Sequence, residues 1–187
     1  MKVIDYSDPR DKSKILKSTS NIDIGDSSES FLKLANDSFR CGMFLLLKLP
    51  SAFFAGVRVK EATDSSCQVT VPYWWFSTNP FKSTYFACLA MAAELSTGVM
   101  AMANIYRRNP SVSLLVVKVE ANFHKKATSV TTFTCNNGID FKLAIGRAVS
   151  TREAQIVVAK SVGLNKFNEE IATFFITWSF RVKNTSD

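Results

Sequence analysis

The chain has 187 residues, with 23 lysines and arginines against 16 aspartates and glutamates, and a formal net charge of +7. Hydrophobic residues make up 47% and aromatic residues 12%, which excludes a disordered chain and predicts one globular domain. Seven glycines and five prolines exclude collagen-like and low-complexity classes.

The N-terminal residues 1–28 are polar and end in a Gly-Asp-Ser-Ser cluster, so we expect a loosely ordered segment there. They contain no apolar stretch of the kind that a signal peptide has. The four cysteines form no CxxC pair and there is one histidine, so no metal site is expected. Scattered cysteines of this kind are typical of reduced, buried thiols, and they predict a cytoplasmic protein.

The first predicted elements are a helix and a hairpin. Over residues 29–49 apolar side chains recur mainly at steps of three and four, which predicts a helix that Ser28 caps and Pro50 ends. Residues 56–62 and 67–71 alternate apolar and polar side chains on either side of a polar turn. This pattern predicts a β-hairpin.

A long helix is predicted from Lys82 to Tyr106, where an Asn-Pro pair follows two arginines. Residues 85–103 carry a single charge, Glu94. A carboxylate at the centre of a bilayer costs about 2.5–3.5 kcal/mol or more, and the stretch is rich in alanine and methionine. We therefore expect the buried core of a soluble protein and no membrane span.

The last part of the chain is mostly strand. Alternation over residues 115–124 is followed by a return strand at 128–136 and two more strands at 152–162 and 170–182. Residues 138–150 fit a helix or a strand on periodicity alone. Because an antiparallel sheet hides one face only when another layer covers it, we expect an α+β fold with the sheet wrapped around the long helix.

The segment Asn79–Glu94 has an asparagine before the helix, small residues in its first half and an Ala-Glu pair at its middle. It resembles the loop-into-helix signature of hot-dog-fold thioesterases, and most of all an uncharacterised group related to the phenylacetate-pathway and tetrameric acyl-CoA thioesterases. Residues 45–59, 119–127 and 174–183 resemble the helix-Pro-strand opening, the strand with its basic turn, and the closing strand of that group.

This resemblance implies a single hot-dog domain over residues 29–183, preceded by the loose segment and followed by a short tail at 184–187. The antiparallel sheet then wraps around one central helix, with an N-terminal helical extension. The resemblance also implies that residues 138–150 form a helix inserted between strands.

Thioester hydrolysis needs an activated water and hydrogen-bond donors for the developing oxyanion. With the resemblance in view, Glu94 is the predicted general base, because burial raises the pKa of a carboxylate toward neutrality. Backbone amides at a helix start are ready donors, and Ser83, Thr84 and Tyr85 occupy that turn. Asn79 is predicted to orient the carbonyl or the water.

The spacing of these groups predicts an oligomer. Ser83 and Glu94 are 11 residues apart, which is about 16 Å along a helix, so one water cannot contact both within one helix. The site then combines the helix start of one subunit with Glu94 of another. The resemblance independently implies a homodimer or homotetramer, since two hot-dog sheets usually join edge to edge.

Each of these residues also has a structural interpretation. Glu94 is then a carboxylate that caps a neighbouring backbone or pairs with an arginine. Asn79 is then an Asx turn before Pro80. Thr97, one turn beyond Glu94, either holds the carboxylate, the water or a substrate, or bonds a carbonyl of its own helix.

The positive charge suits the phosphates of coenzyme A, which enters here as part of the substrate and not as a cofactor. Lys125, Lys126, Arg107 and Arg108 are predicted to bind them at a basic rim, or else they belong to a solvated basic surface. The basic residues are scattered and no nucleic-acid motif appears, so no nucleic-acid partner is expected. His124 is interpreted as a surface turn residue. The aromatic run 73–76 lines an acyl tunnel, packs the dimer interface or anchors its own loop.

One departure from the family pattern bears on activity. Better-understood thioesterases of this fold have His-Gly-Gly at the helix start and an aspartate further in, where this chain has Tyr85, Phe86, Ala87 and then Glu94. Two bulky rings there narrow or close the acyl site. The leading hypothesis is an acyl-CoA thioesterase-like hydrolase, and the alternative is a non-catalytic acyl- or acyl-CoA-binding hot-dog protein.

Overall fold

The computed structural model describes the backbone of residues 25–183 and the side chains of residues 28–183. Three helices open it: α1 (Gly25–Asn36), α2 (Ser38–Lys48) and α3 (Pro50–Phe54). The prediction of one continuous helix over 29–49 was wrong. Asp37 is extended and its carboxylate accepts the amides of Phe39 and Arg40, both at 3.0 Å, so it ends α1 and caps α2. Ser28 lies inside α1 and not before it.

Six antiparallel strands form one sheet with the spatial order β1-β2-β4-β5-β6-β3. The predicted hairpin is confirmed, as are the later strands, with small shifts at their ends. The bounds are β1 Arg58–Ala62, β2 Cys67–Val71, β3 Val112–Phe123, β4 Thr131–Cys135, β5 Gln155–Leu164 and β6 Glu170–Val182.

The long helix α4 (Phe86–Ile105) packs against this sheet. Ala92, Ala93 and Ala101 have no exposed surface, because small side chains let the helix approach the strands closely. Within residues 25–183, α4 is the one helix long and apolar enough to cross a bilayer, yet 61% of its most apolar stretch is buried inside the protein. That burial is typical of a core helix.

A second helix on the sheet, α5 (Gly138–Thr151), packs against α4, β5 and β6. It confirms the helix that the resemblance implied over 138–150. Gly138 starts it where a Cβ would overlap the carbonyl oxygen of Asp64. A side chain at this position would therefore separate α5 from the β1–β2 turn.

Strand β3 lies at one edge of the sheet and pairs only with β6 among the described strands. Its register shifts between Val116 and Lys118, so Val117 forms a bulge. After the bulge Val119 pairs with the buried Ile176, and it therefore shares that residue's face of the sheet. The alternation predicted for residues 115–124 is thus interrupted, because a bulge moves the following side chains to the other face.

Candidate functional site

In the loop before α4, the backbone amides that were predicted to act in catalysis already donate hydrogen bonds within the protein. The Ser83 amide donates to Asn79 Oδ1 at 3.3 Å, the Thr84 amide to the Ala127 carbonyl at 2.7 Å, and the Tyr85 amide to the Ser77 carbonyl at 2.7 Å. An amide that is already bonded cannot stabilise an oxyanion without breaking that bond. The amides of Ser83, Thr84 and Tyr85 are therefore occupied in this structure, because α4 begins at Phe86 and not at Lys82, and their role as oxyanion donors stays a prediction.

The Asn79 side chain holds this loop together. Its Oδ1 accepts the Phe81 amide at 2.9 Å, and its Nδ2 lies 3.2 Å from the Ser83 hydroxyl oxygen. This is the Asx-turn arrangement that the sequence allowed as an alternative. The predicted contact of Asn79 with a substrate or water stays a prediction.

Two amides at the start of α4 are unused. Within residues 25–183, no acceptor contacts the amides of Phe86 and Ala87, whereas the Cys88 amide bonds the Tyr85 carbonyl at 2.9 Å. Unpaired amides in the first turn of a helix attract negative charge. The sequence signal for them is the family pattern itself, since Phe86 and Ala87 stand where that pattern has its two glycines.

A cleft of about 560 Å³ lies beside this helix start. It brings most of the predicted residues together, because the strand-ending turn after β3 packs against the loop before α4. The Thr84 hydroxyl also donates to the Ala127 carbonyl at 3.2 Å, which joins the two segments. The predicted residues that line it are Asn79, Ser83, Thr84, Tyr85, Lys125 and Lys126.

The basic turn in this cleft carries less free charge than its sequence indicates. Lys125 Nζ lies 2.6 Å from Glu169 Oε1, and this ion pair keeps the pKa of Glu169 below its ordinary value. His124 Nε2 lies 3.2 Å from Glu170 Oε1. Lys126 forms no ion pair within the described part of the chain, and its ammonium lies 3.4 Å from the Phe81 carbonyl. Lys126 is therefore the cation most available to an anionic ligand.

Glu94 lies at the middle of α4, away from the cleft of its own protomer. Its carboxylate has no hydrogen-bond or ion-pair partner among residues 28–183, although it is only partly exposed. Burial raises the pKa of Glu94 above its ordinary value. A Cβ added at Gly98 would lie 3.2 Å from Glu94 Oε1, so the absence of a side chain there leaves room for the carboxylate.

Two predicted substrate contacts lie elsewhere. Thr97 is fully buried, its hydroxyl donates to the Glu94 carbonyl at 2.9 Å, and it accepts the Trp178 indole Nε1 at 3.0 Å. Arg107 follows the C-terminal end of α4, and its guanidinium lies over the Tyr106 ring at 5.1 Å. The 20 residues of α4 span about 30 Å, so within one protomer Arg107 does not belong to the rim that Lys125 and Lys126 form.

The described residues contain no group of three or more histidine, cysteine, aspartate or glutamate side chains placed to hold a metal ion. The four cysteines are free and buried. Burial raises the pKa of Cys135 to about 11. A thiol of this kind is a packing group and not a nucleophile.

The architecture is that of the hot-dog thioesterases. A probable thioesterase of unknown function from Pseudomonas aeruginosa superposes with a TM-score of 0.68 at 14% identity, over 78% of this chain and 96% of that one. A putative thioesterase from Shewanella oneidensis gives 0.62 at 10% identity, over 83% and 99%. The PaaI protein of the Escherichia coli phenylacetic acid degradation operon gives 0.56 at 12%, over 81% and 98%. At such identities these likenesses show the fold.

The chain belongs to the DUF4442 family, described as a domain of unknown function, whose model matches residues 41–179. No curated protein gives a significant match. The matched range runs from α2 to β6, and it includes the whole helix start, the cleft and Glu94. Every group of this chain considered above for catalysis thus lies within the matched range.

Proposed function

We propose that this protein is an acyl-CoA thioesterase whose active site forms between two copies of the chain. The observation that carries the proposal is that the chain has both a carboxylate and a pair of backbone amides with no hydrogen-bond partner in the described residues, and thioester hydrolysis needs one group of each kind. Glu94 is a desolvated carboxylate without a partner in the described residues, and the amides of Phe86 and Ala87 are donors without an acceptor there. The four cysteines are buried and form no disulfide, and both this state and a coenzyme A ester as substrate are typical of the cytoplasm.

The helix geometry supports a shared site. Phe86 and Glu94 are eight residues apart, about 12 Å along the helix axis, which is too far for one thioester and its attacking water. The β3 edge supports pairing of two copies, because it is 12 residues long and exposes apolar side chains such as Leu115 (64%). A long, unpaired, apolar edge is a pairing surface.

The proposed reaction needs no group beyond these. Glu94 of one copy takes a proton from water, and the resulting hydroxide attacks the thioester carbonyl carbon. The amides of Phe86 and Ala87 of the other copy donate to the oxyanion. When the tetrahedral intermediate collapses, the C–S bond breaks and Glu94 returns its proton to the departing coenzyme A sulfur, which leaves the free thiol, the carboxylic acid and the ionised Glu94 carboxylate.

The first test measures release of free coenzyme A thiol from short, medium, long and aryl acyl-CoAs. Glu94→Gln removes the base with little change in volume, and we expect a loss of about 10²-fold or more in kcat. Glu153→Gln, at an exposed acid beyond α5, is the matched control and should leave kcat unchanged. Full turnover by Glu94→Gln would exclude Glu94 as the base.

A second test asks whether the two groups come from different copies. Proline is well tolerated at the first position of a helix and lacks an amide proton, so Phe86→Pro removes one donor, with Phe86→Ala as the control that keeps it. Two inactive variants, Glu94→Gln and Phe86→Pro, are refolded together. If the site is shared, mixed dimers contain one intact site and restore about a quarter of wild-type activity. A site within one copy would give no recovery.

A non-catalytic acyl-CoA-binding protein is the second candidate, and the aromatic rings at the helix start favour it. Tyr85 and Phe86 are exposed by 45% and 57%, and their centroids lie 4.9 Å apart in the cleft wall. Phe86 fills space that a glycine would leave open for an acyl group, and the Tyr85 ring lies beside it. Thermal stabilisation by acyl-CoA without release of free thiol would favour this function over hydrolysis.

A further inference from the structure

A cluster of exposed aromatic rings lies between α3 and the loop after β2. Phe54 is 51% exposed, Trp75 78% and Phe76 53%. Their rings form a connected surface, with centroid distances of 6.2 Å for Phe54–Phe76 and 4.7 Å for Trp75–Phe76. Connected exposed aromatic surface of this kind marks an interaction site.

The loop that presents these rings is fixed in place. The Trp74 indole donates to the Ala55 carbonyl at 3.0 Å, and the Ser77 hydroxyl donates to the Pro72 carbonyl at 2.6 Å. Trp74 therefore anchors the loop, as one of the three interpretations of residues 73–76 expected. Because these hydrogen bonds fix the loop, Trp75 and Phe76 are held with their rings in solvent.

The neighbouring helix α2 adds a second apolar surface. Phe39 (78% exposed), Met43 (42%) and Leu47 (71%) recur every four residues, so they share one face of the helix. The opposite face is buried through Cys41 and Leu45. Helix α2 thus has one apolar face packed against the protein and a second apolar face exposed to solvent.

Basic residues predominate around these surfaces, with Asp37 and Glu61 at the ends of the ranges that form them. Residues 38–60 and 67–93, which contain α2, α3 and the aromatic loop, include no aspartate or glutamate. The basic residues in these two ranges are Arg40, Lys48, Arg58, Lys60 and Lys82. Arg40 pairs with Asp37 at 3.5 Å, whereas no ion-pair partner of the other four is found within residues 28–183. Arg58 Cζ lies 4.4 Å from the ring centroid of Phe53, which itself contacts Phe54 of the cluster at 5.5 Å.

We infer that the aromatic cluster and the exposed face of α2 dock onto an anionic lipid bilayer. Tryptophan and phenylalanine insert at the boundary between headgroups and acyl chains, and each lysine or arginine near an anionic surface adds about 1 kcal/mol. A second copy of this chain is a poorer occupant, since it brings the same positive charges to the contact. The surface belongs to elements packed at the β1 side of the sheet, at the opposite edge from β3. It thus leaves the β3 edge free, and the docking is independent of the proposed hydrolysis.

The experiment is cosedimentation of the 187-residue chain with vesicles of phosphatidylcholine alone and with 30% phosphatidylserine added. Trp75→Ser combined with Phe76→Ser removes the two outermost rings of the loop. The matched control is Phe167→Ser, at an exposed ring (70%) that also lies near a lysine, Lys166, but on the β5–β6 turn. Thermal unfolding of each variant checks that the fold is retained.

We expect the wild type and Phe167→Ser to bind the anionic vesicles, with binding reduced at least tenfold by the double substitution and weakened by 0.5 M salt. Tryptophan emission should shift to shorter wavelength on binding, because Trp74 and Trp75 report the surface while Trp178 is already buried. Absence of wild-type binding would overturn the inference. So would equal binding by the double variant, or a double variant whose only change is its oligomeric state.

Discussion

The Trp178 indole nitrogen of β6 donates a buried 3.0 Å hydrogen bond to the Thr97 hydroxyl of α4. That hydroxyl in turn donates to the Glu94 carbonyl at 2.9 Å. The chain of two bonds fixes the central turn of the helix against the sheet at the position where Glu94 projects. Thr97 therefore positions the proposed base through the backbone.

Replacing Thr97 by valine should lower the free energy of unfolding by about 1–3 kcal/mol, because the buried indole N–H would lose its acceptor. Valine keeps the volume, so no cavity contributes to this loss. Chemical denaturation measures it. Thr132→Val, on a half-buried strand position, is the control and should change stability by less than about 0.5 kcal/mol. An unchanged Thr97→Val protein would mean that the indole finds another acceptor.

Replacing Gly98 by alanine should raise the stability of the protein and lower its activity. The added Cβ meets Glu94 Oε1 at 3.2 Å and the Trp178 ring at 3.7 Å, and the movable carboxylate is the nearer of the two. Removing a glycine from a helix interior should raise the unfolding free energy by about 0.5–1 kcal/mol, while displacement of the carboxylate lowers kcat. Stability and acyl-CoA turnover measured on one preparation check both parts. A more stable variant with full activity would show that the carboxylate position is not needed.

Periodicity predicted the parts of the fold whose side chains alternate between core and solvent. The hairpin and β6 were found because each has one strongly apolar face, and the buried helix was found because it is apolar on all sides with a single charge. The bulge at Val117 lies in a run of apolar residues, where no alternation marks the change of face. The break between α1 and α2 at Asp37 was missed because the apolar spacing continues through it. A single capping carboxylate is enough to end one helix and start the next.

The candidate site was harder to predict, since long-range bonds decide it. The start of α4 moves to Phe86 because Lys82 adopts a left-handed backbone (φ 56°) and the Thr84 amide bonds Ala127, 43 residues away. The ion pair between Lys125 and Glu169, 44 residues apart, cannot be read from a local basic turn. The feature of the site that could be predicted from the sequence was Glu94, the single acidic residue in an apolar helix.

The raised pKa of Glu94 gives stability a definite pH dependence. Between the ordinary pKa of the unfolded chain and the raised pKa of the fold, the folded state binds more protons. Stability therefore falls as pH rises through that window. Glu94→Gln lacks this loss, so its stability relative to wild type should increase as pH rises from the ordinary pKa of glutamate to the raised pKa of the fold. Glu153→Gln should show no such trend. A constant difference for Glu94→Gln would mean that the folded carboxyl titrates as in water.

The same shift sets the pH profile of the proposed hydrolysis. A general base works only when deprotonated, so kcat should fall on the acid side with a midpoint above the ordinary value for glutamate. Replacement of Glu94 by aspartate keeps the carboxylate but shortens it, and should retain an acid limb at reduced kcat. A limb that persists unchanged in Glu94→Gln would assign the titration to another group.

The two lysines of the basic turn should differ in their effect on coenzyme A binding. Lys126→Gln should raise KM for acyl-CoA by about fivefold, since one exposed ionic contact is worth up to about 1 kcal/mol. Lys125→Gln should have a smaller effect, because Glu169 already neutralises that ammonium at 2.6 Å. Glu169→Gln releases Lys125 and should lower KM. An acyl-pantetheine substrate without the nucleotide phosphates is the control, and equal KM changes with it would place the phosphates elsewhere.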